Sequence, residues 1–283
     1  GIETDLTVIC IEENHFRIIS SSATRTHDKA HILKHLSPKL KLKDITDELV
    51  CLGIFGPKSR ELISKISKDD FSNEILKFGR GKYIQIGLNK VWVQRLSYVG
   101  ELGFEIYIKN IDAKEIYQLI VEEGKNHKLS HCGSHAMDTM RMESGFLHWG
   151  HDISPEENQY EAGLDFGISY KKEINFIGKE SLLKIKDKKQ DKRFIMLSLK
   201  NNNSGHTLLL HEEPIYLNNQ IIGRTTSGNY SFNYKKSLSF GYITTKFSNE
   251  ELKKMNLYIE VAKQKHQAVV EVTPLKDKRV RYL

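Results

Sequence analysis

The chain has 283 residues, with 43 Lys plus Arg against 36 Asp plus Glu, which gives a formal net charge of +7. The 39% hydrophobic and 28% charged residues are an ordinary globular composition. The longest nearly apolar run, 49–55, is far shorter than the roughly 18 residues that span a bilayer, so we expect no membrane segment. Basic and acidic residues alternate along most of the chain, so we expect no nucleic-acid partner either.

The cysteines indicate the redox compartment. Cys10, Cys51 and Cys132 are odd in number, widely spaced and without a Cys-x-x-Cys pair, which favours a reducing compartment such as the cytoplasm. Residues 1–10 have neither the basic start nor the apolar stretch of a signal peptide. The first residue is Gly rather than Met, so we expect that the natural N-terminus is missing.

The first half of the chain combines predicted hairpins with helices. Apolar runs around polar turns predict strands, and apolar residues three and four positions apart predict helices. A glycine loop, 99–103, separates a hairpin from a further strand. The predicted elements are a hairpin over 4–22, helices over 23–36 and 57–66, a hairpin over 82–98, a strand over 104–108 and helices over 113–120 and 135–143.

The second half has the pattern of a small antiparallel barrel or sandwich, after a lysine-rich stretch at 184–193 that is predicted as a solvated linker. The predicted strands are 194–199, 214–217, 220–226, 238–243, 257–262 and 268–272. Helices mixed with antiparallel hairpins make the fold class α+β. We divide the chain into a first α+β domain, 1–88, a second α+β domain, 89–188, and a C-terminal β-barrel domain, 189–283.

Two kinds of site are absent from the sequence pattern. No Gly-x-Gly-x-x-Gly or Walker loop lies between a strand and a helix, so no flavin or nucleotide site is expected within these residues. His27, His31 and His35 have a spacing that could hold zinc, but no carboxylate or thiolate is clearly aimed at them. We interpret them as a polar stripe on a helix and expect no metal site.

The most informative segment is 95–107, in which a glycine turn and two carboxylates lie between strands. In the strand over 104–108, Glu105 and Tyr107 point away from the core-facing Phe104 and its apolar neighbours. A carboxylate accepts two parallel N–H bonds from a flat heterocycle as it does from Arg, so Glu105 suits a pterin edge. The alternative is that Glu105 pairs with Arg95 or Arg141.

These residues and six other segments resemble the tetrahydrofolate-dependent aminomethyltransferase family. The family includes the glycine-cleavage T-protein and the C-terminal folate halves of dimethylglycine and sarcosine dehydrogenases, and the sequence is more similar to those halves. The resemblance covers essentially the whole chain. The matching segments, in the family's order, are 1–8, 53–60, 97–105, 140–145, 160–164, 176–179 and 226–228.

The resemblance implies both a fold and a site. It implies mixed α/β domains followed by a C-terminal antiparallel β-barrel. Asp5 matches the family's central aspartate, which lies beside the reactive folate nitrogens, stabilises positive charge and accepts a proton. Glu105 matches the acid that binds the pterin edge, and Tyr98 matches a tyrosine of that pocket. Arg141 matches an arginine that touches the ligand or holds Glu105 in place.

The implied activity is tetrahydrofolate-dependent transfer of a one-carbon unit from an N-methylated glycine-type amine, or an aminomethyl carrier, to form 5,10-methylene-tetrahydrofolate. The implied partners are folate, a small amine and a flavin dehydrogenase domain or subunit, with FAD only where such a domain precedes the chain. In a eukaryote the location would be the mitochondrial matrix.

Several alternatives stay open. They are a T-protein proper, a folate-dependent demethylase and a non-catalytic folate-binding or structural subunit. Ser21 and Gln159 depart from the T-protein pattern. The related iron–sulfur assembly factors carry a cysteine motif near residues 175–180, where this chain has none.

Overall fold

The computed structural model describes residues 1–200, 207–244 and 247–277. The chain folds into two compact units. The first, here called the barrel unit, contains Gly1–Thr4 and Asp138–Leu275, and the second, the sheet unit, contains Asp5–Met137 and residues 276–277. No helix among the described residues has the length and apolar character needed to cross a membrane.

The sheet unit begins with the predicted hairpin. It consists of β1 (Thr7–Glu12) and β2 (His15–Ile19), which pair antiparallel. The predicted first helix follows as α1 (Arg25–His35), in which Asp28 is the buried residue and accepts a hydrogen bond from Thr24. An acid in the first turn is favourable there because it faces the positive end of the helix dipole.

A four-stranded antiparallel sheet forms the centre of this unit, in the order β3-β6-β5-β4. One face of the sheet packs on two amphipathic helices, and the shared core includes Ile63, Phe104, Ile106 and Ile116. The elements are β3 (Leu49–Phe55), α2 (Ser59–Ile66), β4 (Gly81–Ile86), β5 (Asn89–Gln94), β6 (Gly103–Lys109) and α3 (Ala113–Gly124).

The barrel unit contains a closed antiparallel barrel in the order β10-β7-β12-β11-β8-β9, as the resemblance implies. Inward-facing apolar side chains such as Leu197, Ile215 and Leu257 fill it. The strands are β7 (Lys192–Leu199), β8 (Pro214–Leu217), β9 (Gln220–Ser231), β10 (Lys236–Thr244), β11 (Leu257–Val261) and β12 (Gln264–Glu271). The helices are α4 (Ser134–Glu143), in which the boundary between the units lies, α5 (Lys179–Ile185) and α6 (Asn249–Lys254).

The α+β fold class is confirmed, and several element boundaries differ from the predictions. The stretch predicted as a linker, 184–193, begins inside α5 and ends inside β7. The predicted domain boundary at 88/89 lies in the turn that joins β4 to β5, two neighbouring strands of one sheet. The boundary at 188/189 lies just before the barrel begins at β7.

Candidate functional site

The two faces of β6 have different roles. Phe104, Ile106 and Ile108 are fully buried against the helices, while Glu105 and Tyr107 point to the opposite face, as the strand alternation predicts. On this opposite face Tyr107 packs with Trp92 of β5. The face of the sheet that carries Glu105 and Tyr107 is therefore separate from the core formed with the helices, and another element can pack on it.

The β1–β2 hairpin covers this second face. Ile9 of β1 is buried and packs against Trp92 and Tyr107, and Ile11 and Ile19 add to the same cluster. The hairpin thus places apolar side chains over the strand that carries Glu105. Because apolar surroundings exclude water, hydrogen bonds to a carboxylate are strengthened there.

Glu105 is partly buried and bonded to its strand neighbour. The Tyr107 hydroxyl donates to Oε2 of Glu105 over 2.5 Å. Burial, followed by the hydrogen bond to the Glu105 carboxylate, raises the pKa of Tyr107, so the phenol stays protonated as a donor. Among the described residues, Tyr107 is the sole hydrogen-bond partner of the Glu105 carboxylate. Oε1 is consequently available to a ligand.

The alternative pairing of Glu105 with Arg95 is not formed. Nη1 of the buried Arg95 donates to Oδ1 of Asn73 over 2.6 Å and to the Leu76 carbonyl over 2.9 Å. Gln94, which lies opposite Glu105 in the sheet, accepts from Trp92 and donates to the Gly79 carbonyl, both over 3.0 Å. The hydrogen bonds of Arg95 Nη1 and of the Gln94 amide are therefore made to groups other than the Glu105 carboxylate.

Asp5 lies two residues before β1, in the sheet unit that also contains Glu105. The residue keeps an exposed surface, yet the protein around it desolvates the carboxyl group enough to raise its pKa. A carboxylate with a raised pKa is a stronger base, so Asp5 is suited to accept a proton. The strand that follows Asp5, β1, packs through Ile9 onto Tyr107, whose hydroxyl is bonded to Glu105.

Tyr98 lies, partly buried, in the loop between β5 and β6. The loop is fixed at several points. The buried Lys276 forms an ion pair with Glu101, and its Nζ also lies 3.4 Å from the Val99 carbonyl oxygen. At the end of the loop, the Leu102 carbonyl accepts from the Gly56 amide over 2.8 Å. The sequence analysis missed Lys276, because nothing in the spacing joins residue 276 to residue 101.

Arg141 lies in the barrel unit, buried in α4, and all three of its guanidinium nitrogens are bonded. Nε donates to Asp138 over 2.7 Å, Nη1 to Asp152 over 2.6 Å and to the Phe146 carbonyl over 3.1 Å, and Nη2 to Ser227 over 2.8 Å. These bonds fix the chain segment that follows α4.

Asp152 is the counterpart of Arg141 in this network and is fully buried. Besides Arg141, its carboxylate accepts from the His148 amide over 2.9 Å and from the hydroxyls of Thr226 and Ser227 over 2.5 and 2.8 Å. Four donors compensate the desolvation of this charge. The sequence analysis did not identify Asp152.

A cavity of about 440 Å³ lies within the sheet unit beside the hairpin. Its walls are β2, α1, the segment 41–46 and the covered face of the four-stranded sheet, where Tyr107 contributes. Three cationic side chains from β2 and α1 line the cavity: Arg17, Arg25 and Lys29. The cavity thus adjoins the tyrosine that binds Glu105.

Two family profiles match this chain, and the second begins where the barrel begins, at β7. The family profile described as the GCVT N-terminal domain matches residues 1–172, and that of the glycine cleavage T-protein C-terminal barrel domain matches residues 192–277. This chain belongs to the glycine cleavage T-protein family. The fold and the family that the sequence motifs indicated are both confirmed.

The chain is similar to two kinds of curated protein, dehydrogenases and aminomethyltransferases. Human mitochondrial dimethylglycine dehydrogenase is 31% identical over 277 residues, which are 97% of this chain and 31% of that protein. An aminomethyltransferase of Thermoanaerobacter sp. is 32% identical over 249 residues, which are 88% of this chain and 66% of that protein. The chain therefore spans about a third of the length of the dehydrogenase relative.

A solved structure shows the same fold. The crystal structure of the glycine cleavage system aminomethyltransferase T from Bartonella henselae superposes with a TM-score of 0.82 over 98% of this chain and 73% of that chain. The two sequences are 20% identical.

Proposed function

We propose that this chain is the tetrahydrofolate-binding part of an enzyme that transfers a one-carbon unit from an N-methylated glycine-type amine to tetrahydrofolate, forming 5,10-methylene-tetrahydrofolate. Family membership supports the reaction class, and similarity to dimethylglycine dehydrogenase supports the amine class. The observation that carries the proposal is the Glu105 carboxylate, bonded to Tyr107 on the covered face of the sheet.

The residues on this face fit a reduced pterin. Such a ring presents an amide N–H and an amino N–H along one edge, and a carboxylate accepts both. Tyr107 occupies Oε2 of Glu105, and Oε1 has no partner among the described residues. In this proposal Glu105 binds that edge, and Tyr98, from the loop fixed by Lys276, lines the same pocket.

Asp5 is proposed as the residue that acts on the reacting atoms. Bound tetrahydrofolate supplies the nucleophilic nitrogens that take up the one-carbon unit. The Asp5 carboxylate stabilises positive charge that develops beside it and accepts the proton released, a contribution of roughly 10²–10⁴ in rate. Its raised pKa favours the second role, because a stronger base takes the proton more readily.

Arg141 is proposed as a positioning residue. All three nitrogens of its guanidinium are engaged within the barrel unit, by Asp138, Asp152, Ser227 and the Phe146 carbonyl. Its contribution is then to fix the segment 146–152 rather than to bind the pterin itself.

Oxidation of the amine is proposed to occur in a flavin-containing domain or subunit other than these residues. The dehydrogenase relative is about three times as long as the region matched here, which supports this division. The proposed location is a reducing compartment, the cytoplasm, or the mitochondrial matrix in a eukaryote, as the relative's name suggests.

Calorimetric titration of the protein with tetrahydrofolate tests the binding step. Glu105→Gln replaces an acceptor oxygen by a donor, and we expect about ten- to a hundredfold weaker binding, because a charge-assisted hydrogen bond is lost. The matched control is Glu74→Gln, which changes an exposed glutamate without a described partner and leaves the affinity unchanged. Absence of binding heat in the parent would instead favour a structural subunit.

The transfer step is tested with Asp5→Asn. The protein is supplied with tetrahydrofolate, dimethylglycine and a flavin enzyme that oxidises the amine, and methylene-tetrahydrofolate is measured. We expect nearly unchanged folate affinity and a fall in product formation of about a hundredfold or more. Unchanged turnover would refute the role of Asp5, and product formed solely from an aminomethyl carrier would favour a T-protein proper.

A further inference from the structure

Arg17 is a cation on the inward face of the hairpin. It lies opposite Ile9 in the β1–β2 pair and two residues before Ile19. Directly opposite residues of an antiparallel pair, and residues two apart in one strand, share a face. Ile9 and Ile19 both belong to the cluster on the four-stranded sheet. Arg17 therefore lies on the same face of the hairpin as the apolar cluster formed by Ile9 and Ile19.

Two nitrogens of the Arg17 guanidinium form no hydrogen bond with the part of the chain that the structure describes. Its Nε and Nη1 atoms are buried, and neither has a hydrogen-bond partner among the described residues. Its Cζ atom lies 5.6 Å from the centre of the Tyr107 ring, which provides a cation–π contact but accepts no conventional hydrogen bond. Buried polar groups are normally hydrogen-bonded and buried charges are normally paired. These nitrogens thus lack the acceptor that folding usually provides.

The cavity beside Arg17 has an excess of positive charge. Its two carboxylates are already engaged: Asp28 accepts from Thr24, and Asp44 is paired with Arg25 at 3.0 Å and Lys29 at 3.4 Å. Lys43, also in the wall, is paired with Glu48 at 2.7 Å. Within the described part of the chain, Arg17 and Lys41 line the cavity without an acidic partner.

The lining also contains apolar and aromatic groups. Ile18, Ile19 and Ile32 contribute aliphatic surface, and Tyr107 contributes its ring. At about 440 Å³, the space accommodates a small organic molecule rather than a single atomic ion. The combination of one unpaired guanidinium with apolar walls matches an organic anion with a short carbon skeleton.

We propose that this cavity binds the carboxylate of a small amino acid, with Arg17 as the principal cation. The inference rests on the proposed function, in which the N-methylated glycine-type amine and its demethylated product both carry such a group. Tyr107 contacts Arg17 on one side and Glu105 through its hydroxyl, so the amine site would adjoin the pterin site. The glutamate tail of folate carries the same chemical group and is the second source to be tested.

Titration with paired ligands tests the site directly. N,N-dimethylglycine and its amide, N,N-dimethylglycinamide, share the amine and differ in the carboxylate, and each is titrated into the protein by calorimetry with and without tetrahydrofolate. We expect the acid to bind at least about tenfold more tightly than the amide. Arg17→Gln should weaken the binding of dimethylglycine by at least about tenfold, as for loss of a charge-assisted hydrogen bond. The affinity for the amide should stay unchanged.

Controls separate binding from folding. Arg80→Gln removes an exposed arginine of the same unit and should bind the acid as the parent does. Without ligand, Arg17→Gln should melt no lower than the parent, because it removes an unpaired buried cation. Dimethylglycine should then raise the melting temperature of the parent and of Arg80→Gln but not that of Arg17→Gln.

The remaining comparisons identify the source of the carboxylate. Tetrahydropteroate lacks the glutamate tail, so a loss in Arg17→Gln seen with tetrahydrofolate and not with tetrahydropteroate assigns the carboxylate to the tail. An Arg17→Gln variant that binds dimethylglycine and tetrahydrofolate like the parent overturns the carboxylate site. If the parent binds dimethylglycine through Arg17 but never tetrahydrofolate, the proposed function fails while the Arg17 site stands.

Discussion

The hydroxyl of Tyr107 donates to Oε2 of Glu105 over 2.5 Å, and the two side chains lie two residues apart on the same face of β6. One strand therefore supplies both the acid and the group that fixes its orientation. Burial, followed by the hydrogen bond to Glu105, raises the pKa of Tyr107, so the phenol is protonated at neutral pH and acts as the donor.

Removing this donor should affect binding without removing the acid. We expect Tyr107→Phe to weaken tetrahydrofolate binding by about three- to tenfold, because Glu105 loses its described partner and its preferred orientation. The cost in unfolding free energy should be about 1 kcal/mol. Calorimetry and urea unfolding measure the two effects. Tyr83→Phe, at an exposed tyrosine of β4, is the control, and equal folate affinities in both variants would contradict the role of Tyr107.

Asp5 should make the folded protein less stable as pH rises. Desolvation raises the pKa of Asp5 in the folded state above the ordinary 3.8 of the unfolded state. Between the unfolded-state and folded-state pKa, the folded protein therefore binds the proton more tightly than the unfolded chain. Stability rises with pH where the unfolded state binds more protons, so here the contribution of Asp5 falls as pH rises through this window. We expect Asp5→Asn to be more stable than the parent at pH 7, with the difference vanishing below pH 3.8.

Asp70 is the control for that measurement, because its substitution should change the stability at pH 7 in the opposite direction. Its carboxylate accepts from the Ser72 amide over 2.7 Å, and this bond lowers its pKa. The stabilisation is present above its ordinary pKa and is lost as pH falls. Asp70→Asn should therefore be less stable than the parent at pH 7. Thermal melts from pH 3 to pH 7 distinguish the two variants, and the same sign for both would contradict the assignment.

Lys276 should control the mobility of the loop that carries Tyr98. Lys276→Met leaves Glu101 without its partner, and we expect a loss of about 1.5–3 kcal/mol of local stability, as for a hydrogen bond to a charged group. Hydrogen exchange at the amides of 98–102 should become faster. Lys253→Met, which breaks an exposed ion pair with Glu250, should leave amide exchange in residues 98–102 unchanged.

The buried pair of Arg141 and Asp152 should be the most sensitive ion pair of the barrel unit. Asp152→Asn removes the charge that faces Arg141 and replaces an acceptor by a donor, so we expect a loss of about 3–5 kcal/mol in urea unfolding. The exposed pair of Arg224 and Glu212 provides the comparison, since Glu212→Gln should cost about 0–1 kcal/mol. Similar costs for both variants would show that the buried network is not structural.

Periodicity predicted most of the fold because most elements bury one face. The hairpin at 4–22 and the helix at 113–120 were predicted from apolar alternation and spacing, and both are confirmed. The strand β3 was seen merely as an apolar run, since a short uninterrupted run does not separate strand from helix. The helix α6 was missed, although Ser248 and Glu251 form a capping box that marks its start.

The candidate site was less accessible to sequence reasoning, because its contacts join distant parts of the chain. The strand alternation correctly placed Glu105 and Tyr107 on one face. It could not show that Arg95 turns to Asn73, nor that Arg141 reaches Ser227, which is 86 positions away. Arg17 could have been noticed, because it lies opposite Ile9 in the hairpin and two residues before Ile19, both apolar.

The alternation of β6 has a consequence for how the sequence of this strand can change. Since its odd positions carry the polar site and its even positions fill the core, an insertion or deletion of one residue within 103–109 would exchange the two sets. Glu105 would then face the helices and a phenylalanine would face the hairpin. Ligand recognition and folding thus share one register, so evolution can vary this strand by substitution but not in length.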